Sequence, residues 1–389
     1  MISVNEAINI IHKNTTSLAV EKINCAEAVH RILAEDIFSS INTPPFEQSA
    51  MDGYAFCFAD FKNKPLAISG IIAAGDVGSL PAQHVCRIFT GAALPQGADT
   101  VVMQEKVSVS ENMLSILDEN IQQGSNVRPK GSEIKKGELA LPKKTKLNPS
   151  AIGLLASLGL TQISVYSLPR VSIIITGKEL NTPGNSLQEG KVYESNSYGL
   201  SAALSQNGIN KINIFRVDDN KEATKNIIEK ALQESDLLIL TGGVSVGDYD
   251  YVAQALEECK VDILFHRVKQ KPGKPILFGK KKNIPVFGLP GNPAAVMTCF
   301  YKYVLPCISL LQGKENSTLS LLLPLKNSYS KKKGLTHFLK GKIEGNEVIA
   351  LTGQESYKLL SFTEANCIIE LEEEKENFEK GTLVTTHLI

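Results

Sequence analysis

A glycine-rich segment has the greatest potential for chemistry in this sequence. Residues 241–250 read TGGVSVGDYD, directly after the apolar run 237–240 and before a helical pattern. Glycines at such a junction let backbone N–H groups approach an anion, and the N-terminus of the following helix favours negative charge. The pattern is neither a P-loop nor G-x-G-x-x-G. It predicts an anion site, with an ordinary tight strand-to-helix turn as the alternative.

The same segment also contains Gly243-x-Ser245-x-Gly247, which has the form of a nucleophile elbow. An acidic residue and His266 follow it in an order that a catalytic triad permits. A serine hydrolase using Ser245 is therefore an alternative. No His-Gly-Gly-Gly segment of the kind that forms an oxyanion hole lies upstream, which argues against it.

Two further segments combine prolines with glycine. In 269–275, which reads KQKPGKP, two prolines and a glycine fix the loop while Lys271 and Lys274 project from it. Fixed ammonium groups suit an oxyanion or a phosphate, whereas a solvated surface loop is the alternative. In 288–293, which reads GLPGNP, the prolines form a rigid wall with few backbone donors.

Carboxylates follow several of the predicted strands. Glu179 follows the first strand, Asp218 follows the second, and Asp250 ends the glycine-rich segment. Any one of them can cap a helix. Several acids gathered near lysines indicate a hard divalent cation beside a phosphate.

The region 42–135 has its own concentration of unusual residues. Asp52 stands at a sharp Asp-Gly turn within 44–55, and two dense segments follow at 90–95 and 124–131. Turn chemistry explains the glycines of these segments. It does not require Arg128, which makes that cation a candidate site residue.

The elements that must position these residues alternate between strand and helix over 169–312. This alternation predicts a parallel sheet with helices on both faces, and ligands bind such sheets at the carboxyl ends of the strands. The predicted strands are 170–176, 212–217, 237–240, 261–265 and 284–287. The predicted helices are 197–206, 221–233 and 250–258, and 294–311 is predicted as a buried helix.

The whole chain is predicted to be an α/β multidomain protein. Residues 1–41 and 136–168 form a discontinuous helical domain, with helices at 3–13, from Asn24, and from Pro149 after an Asn148 cap. Residues 42–135 form an inserted β-domain, and 169–313 form the central αβα domain. Residues 314–389 form a small C-terminal β-barrel-like domain, with a hairpin of 335–343 and 347–351.

Composition excludes several classes of protein. The 389 residues are 43% hydrophobic and 21% charged, as in globular proteins, and 41 basic residues balance 41 acidic ones. This balance argues against a nucleic-acid binder. Seven cysteines without a C-x-x-C pair fit reduced thiols, and six scattered histidines do not form a zinc site. Without a signal-peptide pattern, we expect a cytoplasmic protein with no membrane partner.

Taken together, the motifs resemble those of the molybdopterin molybdenumtransferase family, which includes MoeA and the E domain of gephyrin. They occur in the family's order along the whole chain. The matching segments are 49–55 (SAMDGYA), 90–92 (TGA), 126–128 (NVR), 176–180 (TGKEL), 242–247 (GGVSVG), 271–275 (KPGKP) and 289–293 (LPGNP).

The resemblance implies a function in molybdenum cofactor biosynthesis. Family members take adenylylated molybdopterin and molybdate, release AMP with the help of a divalent cation such as Mg²⁺, and leave molybdenum on the dithiolene. It also implies a molybdopterin-binding αβα domain and an elongated homodimer of four-domain chains with a shared active site. Transient contacts with the adenylyltransferase and with recipient molybdoenzymes are further expectations.

The resemblance also assigns roles to residues. The catalytic candidates are Asp52, Glu179, Asp250, Lys271 and Lys274, with Glu179 and Asp250 as the metal ligands. The candidates for binding the substrate are Thr90, Arg128, Asp218, Gly242, Gly243, Ser245, Gly247, Arg267, Pro290 and Pro293. Lys178, Glu133 and Arg267 depart from the family's usual residues, and Lys178 adds a positive charge beside Glu179.

Two alternatives remain besides the hydrolase. The adenylyltransferase step uses a similar αβα domain, but the full-length β-domains and the Asp52 motif argue against it. A non-catalytic scaffold is the other, because the E domain of gephyrin also clusters other proteins. Retention of the charged motif residues argues against a purely structural role.

Overall fold

The computed structural model describes residues 1–218, 220–243, 251–314 and 320–389. The chain forms two units: a smaller unit of residues 22–165, and a larger unit that joins residues 1–21 to 166–389. The finer limits of four domains stay a prediction.

Helix α1 (Val4–Asn14) begins with a capping box. The Ser3 hydroxyl accepts a hydrogen bond from the Glu6 N–H at 3.2 Å, and the Glu6 carboxylate accepts one from the Ser3 N–H at 2.7 Å. Its apolar face packs Val4, Ala7 and Ile11 into the core of the larger unit. This confirms the helix predicted at 3–13.

The smaller unit consists of short strands, single 3₁₀ turns and one α-helix. Its elements are β1 (Val20–Asn24), β2 (Ile37–Phe38), β3 (Gln48–Ser49), β4 (Gly53–Phe56), β5 (Leu66–Ile72), β6 (His84–Ile88), β7 (Thr100–Met103), β8 (Val107–Ser110), β9 (Met113–Ile116), β10 (Val127–Arg128), β11 (Leu139–Leu141), α2 (Pro149–Ser157) and β12 (Gln162–Tyr166).

Two helices were predicted in this unit, and one of them is wrong. Helix α2 has the expected Asn148 cap, whose side chain accepts from the Ala151 N–H at 2.8 Å. The helix expected from Asn24 is a single 3₁₀ turn, Cys25–Glu27. It cannot continue because His30 has a left-handed φ of 68°, which an α-helix of L-residues does not tolerate.

Six strands of the smaller unit form a sheet in the order β7-β4-β6-β5-β9-β8. The sheet buries Phe56, Val85, Val102 and Leu114, as an inserted β-domain requires. At Gly53, a Cβ atom would lie 1.9 Å from the carbonyl oxygen of Val102. Glycine is therefore required where β4 begins, immediately after Asp52.

The larger unit contains the remaining elements. They are β13 (Val171–Thr176), β14 (Leu180–Asn181), β15 (Val192–Tyr193), α3 (Asn196–Gln206), β16 (Ile212–Val217), α4 (Lys221–Glu234), β17 (Leu237–Thr241), α5 (Tyr251–Glu258), β18 (Asp262–His266), β19 (Gln270–Lys271), β20 (Leu277–Lys281), β21 (Ile284–Leu289), α6 (Pro293–Cys299), α7 (Leu305–Leu311), β22 (Ser320–Pro324), β23 (Tyr329–Ser330), β24 (Thr336–Glu344), β25 (Glu347–Ala350), β26 (Cys367–Leu371), β27 (Asn377–Phe378) and β28 (Leu383–Leu388).

The central sheet has the strand order β16-β13-β17-β21-β20-β18. The first four strands are parallel, and β13 is buried along its whole length between two apolar clusters, as predicted. One strand corrects the all-parallel prediction: β20 runs antiparallel to both of its neighbours, β21 and β18, so β18 again points in the direction of the first four strands. Strand β20 was not predicted, although the tight turn at Lys282 (φ 55°) permits only an antiparallel partner for β21.

Residues 293–311 form one helical segment in which a π-helical stretch, Phe300–Val304, separates α6 from α7. By length and composition this segment is able to cross a membrane. However, 67% of its apolar window is buried within the larger unit, in agreement with the predicted buried helix.

The C-terminal strands follow the order β19-β24-β26-β28-β22, and β25 pairs with β24. A parallel bridge between Leu325 and Val348 connects the end of β22 to β25, so the path of strands closes on itself. This is the predicted barrel-like arrangement, and β24 with β25 is the predicted hairpin.

Candidate functional site

The turn after β17 requires glycine twice. Gly242 has φ +84°, and a Cβ atom there would lie 2.5 Å from the carbonyl oxygen of Thr176. Gly243 has φ +61°, and its Cβ atom would lie 2.7 Å from a methyl group of Val252. These contacts are with protein atoms, so glycine is required here by the packing of a tight strand-to-helix turn, and the anion site stays a prediction. The other predicted residues of this segment, Ser245, Gly247 and Asp250, lie outside the described residues.

Asn196 connects three elements at this edge of the sheet, and the sequence analysis missed it. From the first turn of α3, its Nδ2 donates to Thr241 Oγ1 at 3.0 Å and to the carbonyl oxygen of Gly291 at 2.9 Å. Its Oδ1 is buried and has no hydrogen-bond partner in the part of the chain that the structure describes. An asparagine at the start of a helix, two residues after Glu194, was the signal available. In the sequence, this asparagine could not be distinguished from one that caps a helix.

The two lysine and proline segments line one cavity of about 340 Å³ in the larger unit. Lys271 and Lys274 come from the first segment, and Pro290 comes from the second. Both lysines are exposed, and neither forms an ion pair with a carboxylate among the described residues. The two segments that were singled out in the sequence therefore line one cavity, and their role in binding stays a prediction.

A further part of the lining of this cavity comes from the segment 353–358, which the sequence analysis also missed. Gln354 and Ser356 line the cavity, and the hydroxyl of Ser356 accepts a hydrogen bond from Asn292 Nδ2 at 2.8 Å. The Ser356 carbonyl accepts from the N–H groups of Ala294 at 3.1 Å and Ala295 at 3.3 Å. The first turn of α6 therefore holds Ser356 in place.

A second cavity of about 540 Å³ shares Lys271, Gln354 and Ser356 with the first. His337 also lines it, and burial lowers the pKa of this imidazole to about 4, with Lys331 and Lys271 adding to the effect. His337 is therefore neutral at physiological pH and adds no charge to that of the lysines.

The carboxylates Glu179 and Asp218 lie around the turn after β13. Gly177 has φ +137°, and a Cβ atom there would lie 2.7 Å from Glu179 Oε1. Asp218 lines a cavity of about 170 Å³ together with Gly177 and Arg216. The Arg216 guanidinium also donates to Thr182 Oγ1 at 2.5 Å and lies 3.9 Å from the buried carboxylate of Glu194. Asp218 thus has a cationic neighbour that the sequence analysis did not identify.

Two predicted residues of the larger unit lie elsewhere. Arg267 is exposed, and its backbone N–H and carbonyl pair with Ile276 and Ile2. Its side chain lines none of the cavities named here. Pro293 lines a separate, largely apolar cavity of about 410 Å³, together with Asn196 and Met297.

In the smaller unit, Asp52 and Thr90 are in direct contact. The Thr90 N–H and hydroxyl donate to Asp52 Oδ1 at 2.8 and 2.9 Å, and these hydrogen bonds lower the pKa of the Asp52 carboxyl. Arg128 is exposed in β10, opposite Gln48 of β3. The Ala50 N–H donates to the Asn126 carbonyl at 2.8 Å, which joins the segments that carry Asp52 and Arg128.

Three family models match the chain in order. The MoeA N-terminal region (domain I and II) matches residues 2–159, a probable molybdopterin binding domain matches 172–309, and the MoeA C-terminal region (domain IV) matches 323–389. Together they cover most of the sequence, in agreement with the resemblance of its motifs.

Similar proteins agree with these matches. The molybdopterin molybdenumtransferase of Haemophilus influenzae is 35% identical over 377 residues, which is 94% of this chain and 93% of that protein. The one from Staphylococcus epidermidis is 33% identical over 98% of this chain and 94% of its own length. A crystal structure of the molybdopterin biosynthesis MoeA protein from Pyrococcus horikoshii superposes with a TM-score of 0.86 and 28% identity, covering all of both chains. Because the three family models match in order and the relatives match over nearly their whole lengths, the chain belongs to the molybdopterin molybdenumtransferase family.

Proposed function

We propose that this protein is a molybdopterin molybdotransferase, an enzyme of molybdenum cofactor biosynthesis. It transfers molybdenum from molybdate to adenylylated molybdopterin and releases AMP. The observation that carries this proposal is the 340 Å³ cavity, which is lined by two lysines, a serine and a proline, with neither lysine in an ion pair within the described part of the chain. The names of the family models and relatives support a molybdopterin substrate and a transfer of molybdenum, and the adenylyl group and molybdate are our proposal.

The chemistry of the cavity suits molybdate. Molybdate is a tetrahedral dianion, and two ammonium groups neutralise it while donating charge-assisted hydrogen bonds. Lys271 and Lys274 supply these groups, and the hydroxyl of Ser356 is a further polar contact. Pro290 has no backbone N–H, so it shapes the wall of the cavity but donates no hydrogen bond to the anion.

The glycine turn and Arg216 suit the phosphate groups of the adenylylated substrate. The turn at Gly242 and Gly243 has no side chains at the carboxyl end of β17, and we assign its backbone N–H groups to the binding of a phosphate. Arg216 and Asp218 line the neighbouring cavity after β16. We therefore assign Gly242, Gly243 and Asp218 to substrate binding. We add Arg216 as a cation for the phosphate groups.

A divalent cation would take its ligands from the substrate as well as from the protein. Among the described residues, no group of three histidine, cysteine or acidic side chains is arranged to hold a metal ion. Mg²⁺ is usually bound by one or two carboxylates together with phosphate oxygens of the substrate. Glu179, with Asp250 as a second candidate, would hold it in that way. The cation would neutralise charge as AMP leaves.

We further propose a homodimer in which the site is shared. Asp52, Thr90 and Arg128 belong to the smaller unit, and we assign them to the site formed with the larger unit of the partner chain. Asp52 is ionised and exposed, so it is available to orient a cation or the attacking group. A cytoplasmic location, and transient contacts with the adenylyltransferase and recipient molybdoenzymes, complete the proposal.

The test is AMP release by the purified protein, measured by chromatography. Adenylylated molybdopterin, molybdate and Mg²⁺ are supplied together and then omitted one at a time. We expect AMP only when all three are present. Release at full rate without molybdate, or in excess chelator, would contradict the proposal. Formation of adenylylated molybdopterin from ATP would instead favour the adenylyltransferase step, and labelling of Ser245 by a fluorophosphonate would favour the hydrolase.

A further inference from the structure

We propose that Gln270 is a positioning residue: its buried side-chain amide, held by Tyr303, fixes the loop that presents Lys271 and Lys274 to the oxyanion cavity. Gln270 belongs to none of the motif residues assigned above. The inference rests on the proposed function, because it concerns how the two lysines are held for molybdate.

The amide of Gln270 lies inside the loop. The residue has no exposed surface, and its Nε2 donates to the carbonyl oxygens of Pro272 at 3.0 Å and Gly273 at 3.3 Å. The loop closes through a hydrogen bond of 3.1 Å from the Val268 N–H to the Lys274 carbonyl. A single side chain therefore binds two consecutive carbonyls that lie between the two lysines.

The chemistry of the loop explains why an amide is required. Pro272 and Pro275 have no N–H, so the loop offers few backbone donors to its own buried carbonyls. A glutamine amide supplies both donor hydrogens while its oxygen remains free to accept. A methionine would fill the same space without donating, and a glutamate would place an acceptor against two carbonyls.

Tyr303 fixes the amide from the other side. Its hydroxyl donates a hydrogen bond to Gln270 Oε1, which sets the orientation in which Nε2 faces the loop. Tyr303 is almost completely buried, and this burial raises the pKa of its hydroxyl well above the usual value. The Tyr303 O–H is therefore protonated and a donor at neutral pH.

The loop and the wall of the cavity are coupled through one helical segment. Ala295, near its start, lines the lysine cavity, whereas Cys299 and Tyr303 contact the loop. At Gly273, which has φ +82°, a Cβ atom would lie 2.5 Å from Cys299 Sγ. The packing of this segment therefore fixes the loop backbone, on which the positions of Lys271 and Lys274 depend.

The test compares Tyr303→Phe and Gln270→Met with Tyr301→Phe as the matched control. Tyr301 lies on the same helical segment, but its ring contacts Phe300 and Phe362 and not the loop. Three quantities are measured: the melting temperature, hydrogen exchange of the peptide that covers 268–277, and the dissociation constant for molybdate by titration calorimetry.

For Tyr303→Phe we expect a melting temperature lowered by about 4 °C or less. Exchange within 268–277 should accelerate, and molybdate should bind about ten-fold more weakly because the ammonium groups are no longer held. The KM for molybdate should rise while kcat at saturating molybdate changes little. Tyr301→Phe should leave all of these unchanged.

The outcomes separate this inference from the proposed function. Normal molybdate binding and normal loop exchange in Tyr303→Phe would overturn the positioning role, and so would an equal effect of Tyr301→Phe. If Gln270→Met does not fold, Tyr303→Phe decides alone. If the wild-type protein binds no molybdate, the proposed function fails, and loop exchange still decides whether Gln270 and Tyr303 fix the loop.

Discussion

Lys302 Nζ, which is buried, and Glu370 Oε2, which is partly buried, form an ion pair at 2.7 Å that joins the π-helical stretch to strand β26. His387 Nε2 contacts the same carboxylate oxygen at 2.7 Å. Burial by itself would raise the pKa of Glu370, but the hydrogen bond from His387 and the charge of Lys302 outweigh it and lower this pKa to about 2.

The pair predicts how stability depends on pH. Because the folded pKa is depressed from 4.5, the unfolded chain binds more protons, and stability is lost as the pH falls from about 4.5 towards 2. The shift corresponds to about 3 kcal/mol of the unfolding free energy at neutral pH. Glu370→Gln should lose roughly this amount of stability and the part of the acid dependence that comes from Glu370, as measured by urea unfolding at several pH values. Glu344→Gln, which disrupts an exposed pair with Lys326, is the control and should have little effect. Equal losses in both variants would contradict the prediction.

Removal of the Thr90 hydroxyl should raise the pKa of Asp52. The backbone N–H of Thr90 remains in Thr90→Ala, so the pKa should rise part of the way towards its usual value. Thr90→Ser keeps the hydroxyl and should keep the low pKa. The measurement is a carboxyl-carbon NMR titration of Asp52, with AMP release followed in parallel. An unchanged pKa in Thr90→Ala would show that the hydroxyl does not hold the carboxylate in solution.

Loss of the Lys274 ammonium should weaken anion binding more than folding. Lys274→Ala should bind molybdate about ten- to hundred-fold more weakly, because one charge-assisted hydrogen bond is removed. Its melting temperature should be unchanged, since the side chain is exposed and forms no ion pair among the described residues. Lys282→Ala, at the exposed tip of the β20–β21 hairpin, is the matched control and should retain normal binding. Unfolding of Lys274→Ala would instead assign the residue a structural role.

A shared site predicts recovery of activity in mixed dimers. Asp52→Asn should be inactive or nearly so, and so should Lys274→Ala at molybdate concentrations well below its weakened dissociation constant. In a mixed dimer, one site collects both defects and the other collects neither. Random association makes about half of the dimers mixed, so AMP release should recover to roughly a quarter of that of the wild type. Absence of recovery, with subunit exchange confirmed by native mass spectrometry, would place both residues in the site of one chain.

Much of the fold was readable from local patterns. The apolar run at 171–176 could only be a strand buried on both faces, and Asn148-Pro149 marked the start of α2 without ambiguity. Strand β20 was not predicted because its sequence, LFGKK, ends in lysines like those of the turn that follows it. The helix expected from Asn24 failed because His30 turns the chain, and a capping pattern carries no information about that residue.

The sequence alone determined which residues of the site carry charge and which glycines permit close approach. Lys271, Lys274 and Pro290 were recognisable because two rigid, proline-containing segments follow strands of one sheet. Motifs of this kind are local in the chain, so they can be read without knowing the fold. Ser356, Asn196 and Gln270 have no such local signature. They act through contacts with residues 64, 95 and 33 positions away, and only the tertiary structure decides such contacts because it brings distant segments together.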